Sequence, residues 1–187
     1  AFYNLFYNQS NVISAENLIL PATTLDNYCY NSMFYDCTSL TAAPELPATT
    51  LAYRCYEHMF NGCTSLTAAP ELPATTMTNN CYQSMFSGCT SLTTAPELPA
   101  TTLAMYCYYS MFRGCTSLTT APELPATTLA GYCYYNMFYK CSKLNYIKML
   151  ATNINSSYCL KSWVSGVAST GTFVKHPNMT TLPTGTS

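Results

Sequence analysis

Cys107–Pro122, CYYSMFRGCTSLTTAP, is the stretch on which the reading of this chain turns. The same spacing returns as CYQSMFSGCTSLTTAP from Cys81, CYEHMFNGCTSLTAAP from Cys55 and CYNSMFYDCTSLTAAP from Cys29. Each copy is followed by Glu, then LPATT and a variable tail, which sets a period of 26 residues. Self-similarity at a fixed period in this range marks coils that bury their apolar faces against neighbouring copies. The pattern therefore predicts a repeat solenoid and one domain over residues 1–187.

Working outward, residues 1–24 form a degenerate first coil, with Leu5 and Phe6 where later copies have Met33 and Phe34. Five coils of period 26 occupy 25–150, the last of them replacing the proline-rich segment with NYIKML. Residues 151–187 hold a degenerate last coil, with Trp163 at the Met position, and a C-terminal cap running from Trp163 towards Thr186. Within one coil Leu103, Cys107, Met111 and Cys115 recur every four residues, which predicts a short helix. Thr102 is placed to cap its start and Gly114 to end it in a left-handed conformation. The following CTSLTTAPEL reads as extended. The expected fold is an α/β leucine-rich-repeat array, one short parallel strand and one short helix per coil. Helices are thicker than strands, so the array should curve with its strands inside.

Composition narrows the function classes. Only 8% of residues are charged and the net charge is −1 with no basic run. Binding to nucleic acid through counterion release has little to work with, and no apolar run is long enough to insert in a membrane. Low charge with many Thr, Ser, Asn and Tyr suggests a secreted or surface-displayed protein. The opening AFYNLF is already repeat-like and suggests an excised segment of a longer protein.

The MFxGCxSLT core at this spacing resembles the BspA-type leucine-rich repeats of bacterial surface proteins, found in gut Bacteroidetes and also in mycoplasmas and some protists. The resemblance covers about residues 5–165. It implies an extracellular or cell-surface protein active in adhesion or in binding host proteins. Two features depart from the family pattern: Cys stands before the Tyr, and APELPATT replaces a more aliphatic strand.

Eleven cysteines fall in two columns, one from Cys29 to Cys159 and one from Cys37 to Cys141. They read either as small apolar residues filling a buried ladder or as cross-coil disulfides. Zinc ligation is poorly served, because CxxC spacing is absent and His58 and His176 are the only histidines. No cysteine is privileged as a nucleophile and no carboxylate pair is set up for acid–base work, so no enzyme and no cofactor are expected. Glu45, Glu71, Glu97 and Glu123 are in register and should form an exposed acidic edge. The Thr-Thr pairs read as turn and cap residues, with an ordered-water face as the other possibility.

Positions that differ between coils cluster just before and within the predicted helix. They carry the Tyr, Asn, Ser and Arg that binding loops favour, although an unconstrained exposed face would vary too. The candidate binding residues are Tyr53, Arg54, Glu57, Tyr106, Tyr109, Arg113, Tyr132, Tyr135 and Tyr139. The expected function is a non-catalytic surface protein recognising a protein or glycan partner. The alternative is a structural subunit that self-associates end to end into a fibre.

Overall fold

The computed structural model describes residues 2–179; residues 180–187, part of the expected C-terminal cap, lie outside the described residues. It contains no helix among those residues. Its two strands are β1, Tyr146–Met149, and β2, Thr172–Lys175. The α/β leucine-rich-repeat fold with one strand and one helix per coil is therefore corrected on both counts.

Where the helix was expected, the backbone runs through successive turns. In the coil from Leu51, the N–H groups of Cys55, Glu57, Met59, Asn61 and Cys63 each donate three residues back. Those of Arg54, Tyr56, His58, Phe60 and Gly62 instead donate to carbonyls of the next coil, at 2.8–3.3 Å. An α-helix would send every donor to its own i−4 carbonyl. Here half the donors close turns and half join coils, so the backbone is satisfied only when coils are stacked.

Every fourth residue of this ribbon has positive φ: Arg54, His58 and Gly62 in one coil, Asn80, Ser84 and Gly88 in the next. A turn whose third residue is left-handed needs such a residue, and Gly, Asn and Ser meet the need at least cost. Gly114, expected to stop a helix, is the last of three left-handed positions in its ribbon, at φ 74°. Thr102, expected as a helix cap, forms a parallel bridge with Thr76.

The four-residue turn repeat points two residues in and two out. Cys55–Tyr56, Met59–Phe60 and Cys63 are buried, whereas Tyr53–Arg54 and Asn61–Gly62 face outward. Inward residues stack on their copies in adjacent coils. Phe34, Phe60, Phe86, Phe112 and Phe138 form one ladder with centroids 5.5–5.7 Å apart. Tyr30, Tyr56, Tyr82, Tyr108 and Tyr134 form another at 5.6–6.0 Å. Aromatic pairs of this kind contribute about 0.5–1.5 kcal/mol each beyond burial.

The extended side of the coil makes isolated parallel bridges, such as Ala68↔Thr94 and Thr76↔Thr102, in place of strands. Pro70, Pro73, Pro96 and Pro99 lie between those bridges and have no N–H to continue a ladder. In the fifth coil NYIKML has no proline, and there β1 forms and pairs in parallel with β2, Ile147 opposite Phe173. Thr120 bridges Tyr146 but Leu124 bridges Met149, so this coil is one residue short along its edge. The deficit is made up before Tyr158, which again stands 26 residues after Tyr132 with ring centroids 5.1 Å apart. With no helix on one side, the reason for curvature with strands inside falls away.

Candidate functional site

All eleven cysteines are free thiols; ten are buried and Cys29 is half-buried. The second column has a defined structural use: Cys63, Cys89 and Cys115 each donate Sγ–H to a Phe carbonyl one coil back, at 3.1 Å. Burial pushes the Cys55, Cys81 and Cys133 thiols up to about 12, so at neutral pH they are protonated packing groups. No cluster of three or more His, Cys, Asp or Glu side chains able to hold a metal occurs among the described residues.

The outward pairs of the turn ribbon build a groove of about 720 Å³. Six of the residues expected to bind a partner line it: Tyr53, Arg54, Tyr106, Tyr109, Tyr132 and Tyr135. The stacking of coils sets their geometry. Tyr106 lies on Tyr132 at 4.6 Å and Tyr109 on Tyr135 at 4.9 Å, each pair nearly parallel. Tyr106 and Tyr109 of one coil are tilted by 59° at 5.7 Å, so two tyrosine ranks run side by side along the stack.

Asn80, Gln83, Tyr158 and Lys161 complete the lining. Asn80 and Gln83 belong to the variable positions, and their side-chain amides hydrogen-bond to each other. Tyr158 and Lys161 sit in the coil read as degenerate. Counting 26 residues on from Tyr132 and Tyr135 would have found both. Lys161 Nζ is 5.0 Å from the Tyr158 ring centroid and 5.9 Å from that of Tyr135.

Three expected residues stand apart from the groove lining. Glu57 is buried, accepting from Asn31 Nδ2 at 2.7 Å and from Arg54 Nη1 at 3.4 Å. It anchors Arg54 instead of meeting a ligand. Arg113 and Tyr139 pair on the next outward column, with the guanidinium 5.6 Å from the ring centroid. Arg113 remains electrostatically close to Tyr109, whose hydroxyl is pushed up mainly by burial and then by Tyr135, while Arg113 opposes the shift. His58, outside the groove, has its imidazole pushed down chiefly by burial, with Glu57 opposing.

Backbone conformation adds a second feature. Tyr28, Arg54, Asn80, Tyr106, Tyr132 and Tyr158 occupy one left-handed column, with φ between 52° and 59°. Asn tolerates that region, but a bulky aromatic there pays a strain on the order of 1 kcal/mol or more. Four coils nevertheless carry Tyr there; the rings of Tyr106, Tyr132 and Tyr158 open onto the groove, whereas Tyr28 lies outside its lining.

The four in-register glutamates are exposed and lie on a different segment of the coil. Glu45 and Glu71 border a separate groove with Pro44, Pro47, Pro70 and Pro73. Glu123 pairs with Lys148 Nζ at 2.8 Å.

No family model, curated protein or solved structure matches the chain.

Proposed function

We propose that this chain is a non-catalytic binding protein, extracellular or displayed at a cell surface, that holds a protein or glycan partner against its tyrosine groove. The observation that carries the reading is the convergence of Tyr106, Tyr109, Tyr132, Tyr135 and Tyr158 from three successive coils on one concavity that Arg54 and Lys161 also line. Tyrosine also gives a large amphipathic contact at low entropic cost. The resemblance of the MFxGCxSLT core to BspA-type surface proteins supports the same class of function and a bacterial source, independently of the helix that the structure replaces with turns.

The test is a surface-binding panel of extracellular-matrix proteins and polysaccharides, run on the wild type and on Tyr106→Ser/Tyr109→Ser/Tyr132→Ser. The reading expects at least one saturable partner whose affinity drops at least tenfold in the variant while the circular dichroism spectrum is unchanged. Partners that bind both proteins equally would remove the groove from the account.

A further inference from the structure

We propose that the groove's ligand is an acidic polysaccharide, a polymer carrying carboxylate or sulfate groups on its repeating sugars. This rests on the groove being a binding site, as proposed above, and adds the chemical class of what it holds.

Charge is sorted by segment in the later coils only; before residue 77 the turn segments carry Asp36 and Glu57 beside Arg54. From residue 77 onward the turn segments contain Arg113, Lys140 and Lys161 and no carboxylate, while Glu97 and Glu123 lie in the proline segments. Arg113 lies on the next outward column against Tyr139, while Arg54 and Lys161 line the groove. No carboxylate lines it. Glu57, the acid nearest to Arg54, is only 4% exposed and already engaged by Asn31 and Arg54. At Lys161 an entering anion meets a cation with no carboxylate in the lining, whereas the charge of Arg54 is already met by Glu57.

The uncharged lining favours a sugar polymer over an acidic peptide. The tyrosine rings cover one another's faces, so they offer a ligand mainly ring edges and phenol oxygens. Asn80 and Gln83 add amides. This lining is mostly polar and leaves a peptide's apolar side chains little to bury against. Hydroxyl-rich sugars match it donor for acceptor. The site is also periodic: Arg54, Asn80, Tyr106, Tyr132 and Tyr158 occupy five successive register positions. At the usual spacing of about 4.8 Å between stacked chains, they span about 19 Å. A ligand that repeats suits a site that repeats.

The experiment immobilises the protein and measures binding of polygalacturonate, heparin, neutral dextran and poly-L-glutamate. Polygalacturonate or heparin should bind, and their ranking separates carboxylate from sulfate recognition. Dextran and poly-L-glutamate should bind at least tenfold more weakly. Binding should fall steeply as ionic strength approaches about 1 M, where screening shortens to about 3 Å. Lys161→Gln should weaken it about tenfold with an unchanged melting temperature. Dextran binding as well as the acidic polymers, preference for poly-L-glutamate, or insensitivity to salt would each overturn the inference. So would silence on all four polymers. If the tyrosine-to-serine variant then still lost a protein partner found on the panel, the groove would stand and only the ligand class would fall.

Discussion

Cys89 donates its Sγ–H to the carbonyl oxygen of Phe60, one coil back, at 3.1 Å. The same carbonyl already accepts the backbone N–H of Cys63, also at 3.1 Å. The thiol therefore links two coils at a point where the turn ribbon ends, and it does so only while protonated. Cys89→Ala removes this weak bond and leaves a small void, which should cost about 1–2 kcal/mol, read as a shift in the denaturant midpoint.

Accessibility follows from the same packing. A thiol-alkylating reagent should label Cys29, the half-buried member, in the native protein and all eleven cysteines after denaturation. Mass spectrometry of labelled peptides reads this directly. Native labelling across the second column, or disulfides between its members, would contradict the thiol–carbonyl ladder.

Stability should fall in alkali. Cys55, Cys81, Cys133 and Cys141 are pushed by burial from an ordinary value near 9 up to about 12. The folded state thus keeps protons that the unfolded chain has begun to lose. The contribution is fully present below about pH 9 and is lost as pH rises from there towards 12, at up to about 1.4 kcal/mol per thiol per pH unit. Denaturant midpoints should be flat from pH 7 to 8 and drop steeply by pH 10. A flat profile through pH 10 would mean that these thiols are not buried.

Strain at the groove predicts a separation of stability from binding. Tyr106→Asn relieves a left-handed aromatic but forfeits its stack on Tyr132, two effects each on the order of 1 kcal/mol and opposite in sign. Melting should change little, while affinity for a groove ligand falls at least tenfold. Strong destabilisation would mean that Tyr106 is there for packing alone.

Glu57 offers a contrast, because it and its partner Asn31 are buried. Glu57→Ala leaves the Asn31 amide and Arg54 without their acceptor and should cost about 1–3 kcal/mol, whereas Glu57→Gln keeps an acceptor and should cost less. Thermal melts of the two variants give the comparison.

Much of the site's layout was legible in the sequence. The variable columns containing Tyr53, Arg54, Tyr106, Tyr109, Tyr132 and Tyr135 are the outward positions of the ribbon, although Asn31 and Glu57 in one of them are buried against each other. The helix was misread for a physical reason. Inward pairs such as Cys107–Tyr108 and Met111–Phe112 recur every four residues and imitate a helical stripe. A true helix would rotate that stripe by roughly 40° at each step. The telling signal was the Ser, Asn or His four residues before Gly, Asp or Lys, as in Ser84 and Gly88, a spacing of left-handed residues that no helix needs. Strands were over-read because the prolines of APELPATT deny the ladder its donors. Lys161 was hidden because it lies in the degenerate last coil, where the repeat pattern fades.

The most direct test of the groove is tyrosine nitration, mapped by peptide mass spectrometry, with and without the strongest ligand from the binding panel at saturation. The account predicts that Tyr106, Tyr109, Tyr132, Tyr135 and Tyr158 are protected together, while the exposed Tyr3 and Tyr7 react equally in both samples. Bound ligand that leaves those five tyrosines as reactive as before would place recognition elsewhere on the molecule.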